Sequence, residues 1–138
     1  MLAAFLFALF AAGEYEGAGI QLFKGNQVLL VQGIRSGKWG FPKGNRELID
    51  LDWKGAALRE VAEETSYIYD VDYTLCDKMS TQWGSRIYWK GSMITDRAPI
   101  YNVTEHSDIG WFSKEEIAGL RLTKDAEEWI QFDFTTCS

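Results

Sequence analysis

Apolar and polar positions along this chain mark out a series of strands around one amphipathic helix. Residues 1–12, MLAAFLFALFAA, are apolar and uncharged. A membrane-spanning helix needs about 20 such residues. A signal peptide needs a basic flank, and no Lys or Arg precedes Lys24. The run therefore predicts a strand or short helix packed on the domain, as an extension over residues 1–16 that can also serve a homodimer interface. No membrane contact is expected. In residues 17–32 apolar positions alternate around Gln21, break at Gly25-Asn26, and resume as an unbroken run over Val28 to Val31. This pattern predicts a hairpin whose second strand is covered on both faces. Trp39 and Phe41 flank Gly40 as a short strand that Pro42 ends.

From Trp53 the period changes. Trp53, Ala57 and Val61 recur every four residues, joined by Leu58, after Asp52 as a natural N-cap. The spacing predicts a helix ending near Thr65 or Ser66, with its glutamates opposite the core face. Residues 67–80 and 85–95 are rich in aromatic and β-branched residues and read as strands joined by Gln82-Trp83-Gly84. A loop then leads to a strand at Ile109 to Phe112, and Ser113 with Glu116 forms a capping box for a short helix. Residues 123–133 read as a last helix with Ala126, Trp129, Ile130 and Phe132 mostly inward. Together these elements predict one α/β domain over residues 17–138, with a mixed sheet between helices.

Composition narrows the function. At 138 residues and 46% hydrophobic content the chain suits one folded domain. Its net charge of -6 disfavours extended nucleic-acid binding by this chain alone. Cys76, Cys137 and the single His106 have no zinc-ligand spacing. Two distant cysteines read as free, buried thiols of a cytoplasmic protein.

The chemistry concentrates in Arg59 to Glu64. Glu60 precedes Glu63 by three positions and Glu64 by four, so the three carboxylates can converge on one point of a helix. Like charges so close repel, and oxygen-only ligands suit Mg²⁺ or Mn²⁺. The bland alternative is a solvated helix face.

These residues resemble the Nudix box, Gly-x5-Glu-x7-Arg-Glu-U-x-Glu-Glu-x-Gly-U, with U apolar. Gly44 opens it, and Arg59-Glu60-Val61-Ala62-Glu63-Glu64-Thr65-Ser66-Tyr67 closes it. The resemblance spans residues 17–135. It implies a Nudix fold, a mixed β-sheet sandwiched between α-helices, and hydrolysis of nucleoside diphosphates linked to another group with Mg²⁺ or Mn²⁺. It implies Glu60, Glu63, Glu64 and the Gly44 carbonyl as metal ligands, with Arg59 orienting the cluster. Two departures stand out. The loop before the helix is one residue too long, making Asp50 the partner of Arg59, with Glu47 as the alternative. The closing glycine is Ser66.

WGFPKG, residues 39–44, resembles the segment before the box in mRNA-decapping Nudix enzymes, viral ones included. Dinucleoside polyphosphate hydrolases share a related entry. Glu105 stands six residues before Trp111, the spacing of the general base in eukaryotic decapping enzymes. The substrate implied is a capped RNA 5′ end, with dinucleoside polyphosphates, nucleoside triphosphates, or binding without turnover as alternatives. Arg35 and Lys43 are expected on substrate phosphate, or as plain surface charges. Trp39, Phe41 and Trp83 are candidates to stack on a base, with core packing favoured for Phe41. His106 is expected in solvent.

Overall fold

The computed structural model describes residues 15–76 and 78–137. The apolar run at residues 1–12 lies outside the described residues. Strands β1 (Gly17–Lys24), β2 (Gln27–Gly33), β3 (Trp39–Gly40) and β4 (Lys43–Gly44) precede helix α1 (Trp53–Thr65). Then follow β5 (Tyr73–Leu75), β6 (Thr81–Trp83), β7 (Arg86–Met93) and β8 (His106–Phe112), and last the helices α2 (Lys114–Ile117) and α3 (Lys124–Phe132). The sheet runs β3-β2-β1-β7-β5, with β4 on β1, β6 on β7 and β8 on β2. Among the described strands only β1 and β7 pair in parallel, so the sheet is mixed.

Strand alternation builds two cores. On one face Ala18, Ile20, Leu22 and Leu29 pack with Ala56, Ala57 and Val61 of α1. On the other, Phe23, Val28 and Leu30 meet Phe41, Tyr88, Ile117 of α2, and Ala126 and Trp129 of α3. Successive residues of β2 thus serve opposite cores, which explains its unbroken apolar run. Helices cover both faces, giving the expected α/β/α sandwich.

Several expectations change. Residues 67–72 are not strand: Asp72 accepts the Ile68 N–H at 2.8 Å and is gripped by Arg97, which holds a turn there. Gln82 and Trp83 belong to β6 rather than to a connection. β8 starts at His106, three residues early, because its pairing with β2 extends back to Gly33 across a bulge. Phe132 is 71% exposed, one position off the inward face set by Ala126 and Trp129.

The cysteines are also different. Cys76 and Cys137 form a disulfide with their Cα atoms 5.8 Å apart, closing 61 residues of chain. Lys90 of β7 brings the two ends together. Its carbonyl accepts the Cys76 N–H at 3.0 Å, and its ammonium hydrogen-bonds Thr135. The expectation of two free thiols is therefore corrected, because the returning C-terminal tail brings Cys137 to Cys76. No helix among the described residues is long and apolar enough to cross a membrane.

Candidate active site

α1 is fixed at both ends. The Asp52 carboxylate accepts the Gly55 N–H at 2.7 Å, satisfying one unpaired donor of the first turn. At the other end Ser66 takes the left-handed conformation, φ 66°, and its N–H closes on the Ala62 carbonyl. Between these caps α1 packs against β1 and β4, the entry strand of the box. The helix turns Glu60 and Glu64 inward toward β4 rather than away from the core. Glu64 is only 5% exposed, on the same side as Ala57 and Val61.

β4 closes over that edge. The Lys43 backbone N–H donates to Glu64 Oε1 at 3.1 Å. A Cβ on Gly44 would fall 2.0 Å from the Glu60 carboxyl carbon, so only glycine lets the carboxylate lie against the backbone here. A cavity of about 440 Å³ opens at this point, lined by Lys43, Gly44, Asn45, Glu60, Glu64 and Glu105, among others.

Arg59 organises the rim. Its Nε and Nη2 each donate to Asp50 at 2.9 Å, Nη2 reaches the Asn45 carbonyl at 2.8 Å, and Nη1 bonds Glu60 and both oxygens of Glu63. This pairing holds the Asp50 carboxyl below the usual carboxylate range. Glu47 stands farther off, at 3.6 Å. Glu63 is half-exposed and engaged by Arg59, and it does not line the cavity.

From across the cavity comes the loop before β8. One ligand atom each of Glu64, Glu105 and His106 lies within 4.8 Å of the others. His106 is half-buried, contrary to expectation. Its Nε2 is 3.9 Å from Glu64, too long for a hydrogen bond, and its buried Nδ1 has no hydrogen-bond partner among the described residues. Burial holds the imidazole below its ordinary pKa, so it is neutral at pH 7.

Burial is also the first cause that pushes Glu60 up, and it pushes Glu64 up to about 8. Neighbouring carboxylates add to both shifts. Such a cluster is costly without a counter-charge, and its oxygen donors with one neutral imidazole suit a divalent cation. The residues present therefore fit a metal.

The remaining sequence candidates separate. Lys43 faces the site, and burial first and Arg86 second lower its pKa. Arg35 lines an adjoining cavity of about 400 Å³ with Ile34, Ser36 and Thr104, and Glu105 is common to both cavities. Trp39 packs edge-on against Phe112 at 4.9 Å and lines none of these cavities. Trp83 and Phe41 are core. Sequence reasoning missed His106 and Arg86. The first sits beside Glu105 and is placed by β8 starting early. The second arrives from β7 by parallel pairing with β1, which leaves no local signal.

A family model described as the NUDIX domain matches residues 15–132. No curated protein sequence matches. Among solved structures, a Caenorhabditis elegans Ap4A hydrolase in a binary complex is 20% identical with a TM-score of 0.70, covering 83% of this chain and 92% of that one. A MutT NUDIX hydrolase from Burkholderia pseudomallei is 18% identical with a TM-score of 0.63, covering 85% and 95%. The NUDIX domain of Shewanella oneidensis NrtR, complexed with ADP ribose, is 19% identical with a TM-score of 0.63, covering 90% and 94%. At these identities the structures speak to the fold.

Proposed function

The chain belongs to the Nudix hydrolase family, and from that premise we propose that it cleaves a phosphoanhydride bond of a nucleoside polyphosphate with Mg²⁺ or Mn²⁺. The observation that carries this reading is the convergence of Glu60, Glu64 and Glu105 with Lys43 on one cavity. Glu60, Glu64 and the Gly44 carbonyl hold the cation, and Glu63 with Arg59 fixes the helix edge from which they act. A bound divalent cation would offset phosphate charge and lower the pKa of water. Glu105, exposed on its loop, takes the proton from the attacking water as general base. The Lys43 ammonium meets a phosphate oxygen. Arg35, which lines the adjoining cavity with Glu105, contacts the group attached to the phosphates in this reading.

Two substrate classes compete, and the first is preferred. A dinucleoside polyphosphate matches the compact, two-cavity site and the activity named for the C. elegans structure. A capped RNA end draws on the six-residue spacing from Glu105 to Trp111. The net charge of -6 weighs against it, because a trailing RNA chain needs a basic path.

The test is turnover of diadenosine tetraphosphate, cap-labelled RNA and nucleoside triphosphates with Mn²⁺. Hydrolysis of the first, reduced about 10²–10⁴-fold in Glu105→Gln and abolished in Glu64→Gln, is expected. Absence of any turnover, or turnover indifferent to Glu64→Gln, overturns the proposal. Binding without turnover identifies a silent binding module instead.

A further inference from the structure

Arg86 opens β7 and lines the carboxylate cavity beside Lys43. Its guanidinium is anchored from behind. Nη1 lies 3.3 Å from Asp125 Oδ2, and Nη2 lies 3.8 Å from Glu16. Asp125, in the first turn of α3, is 2% exposed and accepts a second hydrogen bond from the Tyr88 hydroxyl. A carboxylate buried this deeply is costly unless it is paired and hydrogen-bonded, so Asp125 and Tyr88 hold Arg86 in one place.

β1 makes room for this. In the parallel register Gly17 faces Arg86 and Gly19 faces Tyr88. A Cβ at Gly17 would fall 2.6 Å from the Gly44 carbonyl oxygen. One at Gly19 would fall 2.2 Å from the Pro42 carbonyl oxygen and 2.9 Å from Lys43 Cβ. The two glycines leave a strip of strand without side chains, and Arg86 and Lys43 flank it. Among the described residues neither cation forms an ion pair with Glu60, Glu64 or Glu105. Two cations held close together and turned to one cavity suit a ligand with two adjacent anionic groups. Arginine carries five donors, so a guanidinium engaged by Asp125 still has N–H groups to offer.

We propose that Arg86 binds a second phosphate of the polyphosphate chain, beside the one that Lys43 meets, and that Asp125 with Tyr88 is its positioning device. The substrate class in this assignment rests on the hydrolase reading, but the binding it predicts can be read without turnover.

The probes are α,β-methylene-ADP, a diphosphate that resists cleavage, and AMP, each titrated calorimetrically with Mg²⁺. Arg86→Gln is expected to weaken the diphosphate about 10–100-fold, as for loss of a charge-assisted hydrogen bond, and AMP much less. Arg86→Lys should recover part of the loss. Asp125→Asn should weaken the diphosphate in the wild-type background and add almost nothing to Arg86→Gln, since it acts through that residue. If Asp125→Asn does not fold, Tyr88→Phe takes its place in the cycle. A diphosphate affinity within about twofold of wild type in Arg86→Gln, equal losses for both probes, additive effects, or no diphosphate binding by the wild type overturns the assignment. Arg86-dependent binding without hydrolysis of any nucleotide supports this assignment and sinks the hydrolase reading alone. Hydrolysis with unchanged KM in Arg86→Gln does the reverse.

Discussion

Asp50 holds the Arg59 guanidinium with both carboxylate oxygens, Oδ1 on Nε and Oδ2 on Nη2, each at 2.9 Å. Asp50 stands six positions after Gly44, as the box requires, so the extra residue falls between Asp50 and Arg59. The Asp50 N–H closes on the Glu47 carbonyl at 3.0 Å, and the Glu47 N–H returns to Asp50 Oδ2 at 2.8 Å. Glu47 thus builds the turn that presents Asp50, and its own carboxylate stays 3.6 Å from Arg59 and half-exposed. Asp50→Asn should cost about 2 kcal/mol, as for a hydrogen bond to a charged partner. Glu47→Gln should cost no more than about 0.5 kcal/mol, as for an exposed pair. Urea unfolding of the two variants checks the order, and equal losses contradict it.

Ser66 occupies the left-handed cap where the box has glycine, and its side chain is in use. Arg97 donates to the Ser66 hydroxyl at 3.0 Å and to its carbonyl at 2.6 Å, while the Ile100 N–H reaches the hydroxyl at 3.3 Å. Ser66→Gly relieves a backbone cost of about 1 kcal/mol and loses hydrogen bonds worth about as much. The net change should fall within about 0.5 kcal/mol of zero. Ser66→Ala keeps the strain and loses the bonds, so it should destabilise by about 1 kcal/mol. A thermal melt in which the two variants behave alike rules this out.

What was legible in the sequence follows the range of each interaction. The caps at Asp52 and Ser113, the hairpin turn and the Glu60-to-Glu64 spacing are all settled within a few residues. Asp50 could be chosen by counting forward from Gly44, because a loop that short leaves few acids to choose from. The inward turn of Glu64 was readable but overlooked: it stands three positions after Val61 and seven after Ala57, so the same period that marks the core face includes it. His106 and Arg86 depend on strand register across the sheet, and the Cys76–Cys137 bond on where the C-terminal tail returns. None of these leaves a local pattern.

That bond should matter for stability. In the chain-entropy picture a closed loop of this size constrains the unfolded state by about 4 kcal/mol. Cys76→Ser paired with Cys137→Ser, or wild type under dithiothreitol, should lower the unfolding midpoint. The reductant should leave the double variant unaffected. Identical midpoints with and without reductant in the wild type would remove the disulfide from the account.

The Asp72–Arg97 pair gives an acid-side prediction. Hydrogen bonds from Arg97 at 2.7 and 3.1 Å hold the Asp72 carboxyl below its ordinary range. A carboxylate lowered in the folded state adds stability that is fully present above its unfolded pKa and lost as pH falls through the folded one. Asp72→Asn should therefore be less stable than wild type at pH 7, and the gap should close in acid below the normal carboxylate range. A gap independent of pH shows that packing, not the charge, is what the substitution removed.

Glu64 has the opposite sign, which couples metal binding to protons. Burial pushes its pKa up to about 8, so without a cation the carboxyl is largely protonated at pH 7. A carboxyl raised in the folded state adds stability present below its unfolded pKa and lost as pH climbs through the folded value. The metal-free protein should thus lose stability from the ordinary carboxylate range up to pH 8, a trend absent in Glu64→Gln. Ligation requires the carboxylate, so Mg²⁺ or Mn²⁺ binding at pH 7 should release about one proton, and almost none at pH 9.5. Calorimetry in buffers of different ionisation enthalpy counts that proton directly. Adding the metal should also restore the stability lost toward pH 8, because the cation supplies the counter-charge that burial denies the carboxylate. A proton count near zero at pH 7, or the same count in Glu64→Gln, means that the titrating ligand is not Glu64.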